Sequence, residues 1–274
     1  MKFRILKDFL IYGFASYGIL WTVAESFGAF FDDLKPEGVF WYSVIIVISI
    51  LIGLYKALPR NQVEIKIPNT DSSFIVTFGD IFNDSDAVVI PVNEFFDGRL
   101  GNNVSEKSLH GKFVKNIFDG DSSKFNQLTN KTLKNIESKE IIRSTGRKHQ
   151  YPIGTTAIID VNNTRYFLTV LSKTDTDTLK ASATIHELWV CFEGMWKAIY
   201  NHSNGYTVKI PLIGSGLSGI GLPPERLLDQ ILTSFFYYIK KQKISDKVVF
   251  VLPENMKAEI DLLSIKRKWN HGLS

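Results

Sequence analysis

The sequence predicts an α/β domain preceded by a pair of hydrophobic helices, and three observations carry that expectation. Residues 9–31 and 39–58 are almost free of charge and rich in Phe, Ile, Val, Tyr and Trp. From about residue 62, short apolar runs alternate with amphipathic segments. A glycine-dense stretch, IPLIGSGLSGIGLPP over residues 210–224, follows one of the last apolar runs.

The first sixty residues form one unit and 61–274 the other. Val39 to Leu58 holds a single charge, Lys56, near its end. At about 1.5 Å per residue such a helix crosses a hydrocarbon core of about 30 Å. The first stretch, Phe9 to Phe31, contains Glu25 but is otherwise apolar and aromatic. The polar segment DDLKPEG (Asp32–Gly38), with the helix-stopping Pro36, joins the two and predicts a transmembrane helical hairpin. Lys2, Arg4 and Lys7 precede the first span, while Lys56, Arg60 and Lys66 follow the second. The positive-inside bias therefore places both termini in the cytoplasm of a multi-pass protein. No small-x-small cleavage site follows the first span, which argues against a signal peptide. Glu25 is either wetted at the outer interface or a polar contact between hairpins in an assembled pore. Gly13, Ala15, Ser16 and Gly18 are small enough for close helix contacts.

Beyond residue 62 the expected strands are Val63–Ile67, Phe74–Thr77, Ala87–Val92, Thr155–Asp160, Arg165–Leu171, Tyr206–Ile213 and Lys247–Leu252. The expected helices are Ser105–Phe118, Ser122–Lys139, Thr184–Asn201 and Pro224–Gln242. Leu188, Cys191, Met195, Ala198 and Ile199 share one helical face, as do Leu227, Leu228, Ile231, Leu232, Phe235, Phe236 and Ile239. Strands interleaved with helices predict an α/β domain with a largely internal sheet. Residues 118–150 are the most polar part and include IIRSTGRKHQ (Ile141–Gln150), which reads as a solvated loop. Arg143, Arg147 and Lys148 within it also suit an anionic ligand or acidic lipid headgroups.

The bulk properties narrow the function. A net charge of +4 over 274 residues, without a long Lys/Arg block, gives no case for nucleic acid. The single cysteine, Cys191, excludes an internal disulfide and a Cys-based zinc cluster, and suits a reducing compartment.

Gly214, Gly216 and Gly219 spell G-x-G-x-x-G, but the context is wrong for a dinucleotide fingerprint. That motif needs a helix beginning inside it, whereas Leu222-Pro223-Pro224 delays the helix until Glu225 can enter its first turn. No acidic residue ends the next strand, where a ribose-binding carboxylate would stand. What remains is a loop able to present successive backbone N–H groups to a phosphate at close range. Other motifs fall away. His186-Glu187 lacks the second histidine of H-E-x-x-H because residue 190 is Val, and Glu187 fits a capping role after Thr184. Ser218 is no nucleophile elbow, since residue 220 is Ile. Cys191 belongs to a core face, and His110 reads as a surface residue rather than a base.

Taken together, Gly79-Asp80-Ile81 after the strand FIVTF, Asp86-Ala87-Val88-Val89-Ile90-Pro91-Val92-Asn93, and Gly214-Ser215-Gly216-Leu217-Ser218-Gly219-Ile220 resemble the motifs of the macro domain, over roughly residues 62–265. The resemblance implies a three-layer α/β/α fold that binds ADP-ribose. It places Asp80, beside Ile81, on the adenine amino group, Asn93 near the distal ribose and residues 214–220 on the diphosphate, with Gly98, Leu100 and Gly101 in the intervening loop. The chain departs from the family in three places. The family's first Asn is Ile90, its glycine run is GRLGNN (Gly98–Asn103), and the aromatic beside the distal ribose is Ser218. These changes weaken a hydrolytic reading and leave room for a bulkier group on that ribose.

A two-span hairpin ahead of such a domain resembles the membrane effector of Thoeris-type anti-phage defence. That resemblance implies a non-catalytic sensor in the bacterial inner membrane, without cofactor or metal. A TIR-domain protein would supply its signal, an ADP-ribose derivative, for this architecture histidine-ADP-ribose. Binding would drive homo-oligomerisation, membrane damage and abortive infection. The alternative is a membrane-tethered enzyme that removes ADP-ribose from proteins or hydrolyses its esters.

Overall fold

The computed structural model describes residues 2–31, 38–67, 73–240 and 247–271. It divides the chain into two compact units, Met1–Asn61 and Gln62–Ser274.

The first unit is two helices, α1 (Lys2–Phe30) and α2 (Gly38–Ala57), packed on each other. The turn expected at 32–37 lies outside the described residues. Small residues set the approach of the helices. A Cβ on Gly53 would sit 3.0 Å from the Phe9 carbonyl oxygen and 3.2 Å from the Gly13 Cα, so a larger residue would push the helices apart by a few tenths of an ångström. Next to it the Ser16 hydroxyl donates to the Ser49 carbonyl at 3.4 Å, and Trp21 stacks on Tyr42 with ring centroids 4.7 Å apart. Gly13 and Ser16 thus serve the pairing within the hairpin. The outward faces are apolar, with Phe14 and Phe40 both 73% exposed. Among the described residues only α2 is both long and apolar enough to cross a membrane. The structure thus supports α2 as a candidate span and does not support the expected second one. Helix α1 is longer, but Tyr12, Tyr17, Thr22, Glu25 and Ser26 dilute its apolar character.

The second unit is an eight-stranded mixed sheet with helices on both faces. In chain order its elements are β1 (Gln62–Lys66), β2 (Ser73–Phe78), β3 (Ala87–Asn93), α3 (Leu109–Phe118), α4 (Ser122–Leu133), β4 (Lys139–Glu140), β5 (His149–Gln150), β6 (Thr156–Val161), β7 (Thr164–Thr174), β8 (Ala181–Ser182), α5 (Ile185–His202), β9 (Val208–Pro211), α6 (Pro224–Ile239), β10 (Lys247–Leu252) and α7 (Leu262–His271). The sheet runs β1-β2-β10-β9-β3-β7-β6, with β8 on β7, and β4 and β5 pair separately. The central strands β2, β10, β9, β3 and β7 are parallel, and antiparallel β1 and β6 close the edges. A parallel sheet buried on both faces needs continuous apolar strands. Strands β3 and β10 supply them. Ala87, Val89, Val248, Phe250 and Leu252 enter one core with α5, α6 and α7, while Val88, Ile90, Val92, Val249 and Val251 enter the other with α3 and α4.

Local chemistry fixes the helix ends. Thr184 and Glu187 form a reciprocal capping box on α5, as the sequence predicts. Asp121 caps α4 by accepting from the Ser123 and Lys124 amides at 2.9 and 3.3 Å. Helix α3 starts later than expected because Ser105 to Ser108 make a turn, after which the Ser108 hydroxyl caps the Gly111 amide at 2.9 Å. Helix α4 lies within the expected Ser122–Lys139, whereas the 141–150 stretch is more ordered than a solvated loop, with Arg143 buried and His149 and Gln150 paired with β4. Cys191 is core as expected, and burial raises its thiol pKa.

His110 corrects the sequence reading, because it is buried rather than on the surface, with its ring 5.8 Å from that of Phe125. Burial pushes its pKa from 6.5 down to about 3, so the imidazole stays neutral and is no proton donor near neutrality. Below pH 6.5 the unfolded chain protonates this group while the folded chain does not until about 3, so stability falls as pH falls through that window. His110→Leu should flatten this loss by up to ~1.4 kcal/mol per pH unit, measured as thermal unfolding between pH 6.5 and 4; an unchanged slope would show that His110 does not carry it.

Candidate ligand crevice

The sheet opens where β9 and β3 meet. These neighbours pair only at their first two positions, Ala87 with Val208 and Val88 with Lys209. Past that point the chain leaves β9 through α6 on one face and leaves β3 through α3 on the other. Such a divergence creates a crevice outside the carboxyl ends of the strands, where α/β sheets bind ligands. All three sequence motifs lie along that edge: Gly79–Ile81 after β2, Asn93–Gly101 after β3 and Gly214–Ile220 after β9.

The late glycine loop has a fixed base and an open crown. Gly214 is buried at φ +90°, and a Cβ there would come within 2.6 Å of the Ile220 Cδ1. Ile220 packs against the core, the Ser215 hydroxyl donates to the Leu212 carbonyl at 2.7 Å, and the Ser218 carbonyl accepts from the Ala183 amide at 2.7 Å. By contrast Gly216 and Gly219 border open space, and Leu217 is 56% exposed. Helix α6 follows at Pro224 with no side-chain cap on its N-terminus, where the Pro223 carbonyl accepts the Arg226 and Leu227 amides at 2.9 and 3.1 Å, and it presents the positive end of its dipole there. The delayed helix start matches the expectation that excluded the dinucleotide fingerprint.

Asp80 is exposed and accepts the Phe82 amide at 3.0 Å, while Ile81 is buried in the α3-side core and anchors the turn. Lys209 on β9 pins the crossing that follows by donating to the Asn83 carbonyl and, at 3.0 Å, to the Asp84 carbonyl. Partial burial lowers the Lys209 pKa against the pull of Asp84, Asp86 and Asp80.

The β3 loop differs most from expectation. Asn93 is buried and occupied internally, with its Nδ2 donating to the Asp97 Oδ2 and its Oδ1 accepting the Asp97 amide, both at 3.1 Å. Asp97 is itself 1% exposed and pairs with Arg143 at 3.0 Å, and it accepts the Arg147 amide at 2.8 Å. The Arg143 guanidinium lies 4.0 Å over the Phe95 ring. Arg147 donates to the Phe96 carbonyl at 3.0 Å, and desolvation lowers its pKa. At Gly98 a Cβ would stand 2.5 Å from the Phe125 ring, so the position admits no side chain. Leu100 packs towards the α3-side core and Gly101 turns the chain at φ +92°. Residues 143–147 therefore clasp the loop. The sequence marked Arg143 and Arg147 as part of a solvated loop or as contacts for an anionic ligand or lipid headgroups, and gave no sign of Asp97 as their partner. Among the described residues no cluster of His, Cys, Asp or Glu is placed to hold a metal ion.

This strand order, with its crevice between β9 and β3, defines a macro-type α/β fold. Two solved structures share it: the Oceanobacillus iheyensis macrodomain with MES bound (14% identity, 76% of this chain and 97% of that chain, TM-score 0.52) and the same macrodomain with ADP (15% identity, 77% and 97%, TM-score 0.51). Residues 75–253 match the family described as Thoeris protein ThsA, Macro domain, and the chain belongs to that family. It is also similar to the Thoeris protein ThsA of Bacillus amyloliquefaciens (strain Y2), at 25% identity over 275 residues that cover 93% of this chain and 89% of the relative.

Removing one partner of a buried ion pair strands the other. Asp97→Ala should destabilise the second unit by ~3–5 kcal/mol, read by denaturant unfolding, and Arg143→Met together with Asp97→Leu should recover part of it. A single-variant loss below ~1 kcal/mol would mean that the clasp is solvated.

Proposed function

We propose that this chain is a membrane-anchored sensor of anti-phage defence whose crevice binds an ADP-ribose derivative, histidine-ADP-ribose for this architecture, made by a TIR-domain protein. The observation that carries the binding reading is the open crown at Gly216 and Gly219, set beside an uncapped helix N-terminus at the β9/β3 divergence. Glycine amides and a helix N-terminus together favour a diphosphate. Macro-type folding, ThsA family membership and the ADP held by the Oceanobacillus macrodomain support it. The exposed apolar helix α2 supports a place in a membrane.

The reading is of a binder and not a catalyst. Asn93 is committed to Asp97, His110 is buried and neutral, and the family's glycine run is replaced by GRLGNN. Ligand binding would then promote assembly of the hydrophobic helices, membrane disruption and cell death. That requires the ligand to bind the assembled state more tightly than the free one.

Calorimetry on the full chain in detergent should show ADP-ribose binding that weakens at least ~10-fold, or 1.4 kcal/mol, for Gly216→Leu with the fold intact. Equal affinity in the variant would remove the loop from the site. Turnover of ADP-ribosylated protein that is lost in Asn93→Ala would replace the sensor with a hydrolase. Deletion of residues 1–60 should abolish killing of phage-infected cells, and retained killing would exclude membrane action.

A further inference from the structure

The two edges of the large sheet differ. At the β6 edge helix α4 stands against the strand, and the Thr132 hydroxyl donates to the Ile158 carbonyl at 3.1 Å. The opposite edge is β1, which among the described residues pairs only with β2. An unpaired edge offers its N–H and C=O groups to any strand that reaches it, and is ordinarily blunted by a proline, a bulge or a cover. Strand β1 reads QVEIK and follows β2 without interruption from Gln62 to Lys66. Helix α7 packs on the face of β1 that carries Val63 and Ile65, which share a core with Leu262 and Ile265.

The register shows which backbone groups lie on that edge. The Gly79 amide donates to the Leu252 carbonyl at 3.0 Å, so odd-numbered positions of β2 turn towards β10 and even-numbered ones towards β1. Phe74 and Val76 stand opposite Ile65 and Val63. Val63 and Ile65 therefore direct their backbone groups to β2, and those of Glu64 and Lys66 point outward. Both side chains are exposed, and among the described residues neither has an ion-pair partner.

A second β1, antiparallel and related by a two-fold axis at Ile65, matches this edge. Glu64 then stands opposite Lys66 on both sides of the axis, in hydrogen-bonded pairs that close about four inter-strand bonds. On the other face Ile65 meets its own copy and Val63 meets Ile67. Opposite charges across a strand pair stabilise it and like charges destabilise it. Sliding the register by two residues sets Glu64 opposite Glu64 in one direction and Lys66 opposite Lys66 in the other. A slip of one residue turns the apolar face of one strand to the solvent face of its partner. One register alone satisfies both requirements.

We propose that the outer edge of β1 is a docking surface for a second copy of this chain, joining two sheets through an antiparallel β1–β1 junction. Such an interface is isologous, and the edge is complementary to itself. Only residues 58–61 separate α2 from β1 in the chain, so each junction also tethers two copies of α2. The pairing needs no ligand, because the groups that make it are already in place.

The test measures the mass of the full chain in detergent by light scattering, without ligand. The wild-type chain should be a dimer. Glu64→Lys and Lys66→Glu each set like charges opposite one another and should each weaken the dimer at least tenfold. Mixing these two single variants restores opposite charges at both positions, so the mixture should dimerise as the wild type does, and so should the chain carrying both substitutions. Glu64→Pro removes an outward N–H that β2 does not use, and should give monomers that still unfold cooperatively. A wild-type monomer, or a dimer that the single substitutions leave intact, would overturn the junction. Single variants that stay monomeric when mixed would show that the substitutions act on the fold and not across the two-fold axis, which overturns it as well.

Discussion

The divergence of β9 from β3 is the constraint on which the rest of the second unit depends. Two paired positions hold these strands together, against a run from Ala87 to Asn93 that pairs β3 with β7. Beyond them the backbone groups of β3 face no strand on the β9 side. Pro91, which has no N–H, lies in that part of β3, where the missing donor leaves no ladder bond to β9 unmade. Elsewhere a proline in a central strand would break the sheet. The gap has to be floored by something other than a strand, and the two loops that leave it form that floor.

Those loops meet the requirement by different means. The 214–222 loop is stiffened from below by Gly214, Ile220 and the Ser218 carbonyl, so its exposed amides are ordered without any side chain standing over them. An anion meeting such amides costs little reorganisation, which is where a preformed site gains over a flexible one. The 93–101 loop is instead held by charge. Asp97 and Arg143 are both buried, and attraction between them offsets a desolvation cost of several kcal/mol per ion only because hydrogen bonds from Asn93 and Arg147 complete the Asp97 shell. A clasp built this way adds little net stability, but it specifies one loop conformation. Phe95 beneath the guanidinium reinforces that single geometry.

What the sequence disclosed and what it hid follow the range of the interactions concerned. Periodicity located β3, β10, α5 and α6 because their apolar residues repeat within one element, and the Thr184–Glu187 box was visible because its partners are three residues apart. The glycine loop was legible for the same reason: Leu222-Pro223-Pro224 delays α6 in a purely local way. Arg143 and Asp97 are 46 residues apart, so nothing local marks either as the other's partner. His110 looked like a surface residue because its burial depends on Phe125, on a different helix. The close approach of Gly98 to the ring of Phe125 was equally invisible, because Phe125 stands on a different element. Helix α1 falls short of α2 for a compositional reason: its aromatics look apolar in a run of letters, yet its tyrosines and Glu25 lower its hydropathy.

The commitment of Asn93 to Asp97 limits how a ligand could act. If the amide is to turn towards a distal ribose, its two bonds to Asp97 must be exchanged, at a net cost of ~1 kcal/mol each. Moving an equilibrium from 1:99 to 99:1 needs about 5.5 kcal/mol of differential binding, so this exchange is too small to be the switch by itself. It suffices, however, to couple occupancy of the crevice to the clasp, because Asp97 cannot release Asn93 without altering its contacts to Arg143 and to the Arg147 amide. In the proposed assembly, the remaining energy would come from contacts that exist only between chains. The exposed Ile142, next to Arg143 in the clasp, is a side chain such contacts could bury. A sensor arranged in this way would bind its ligand weakly as a single chain and tightly only as part of an assembly.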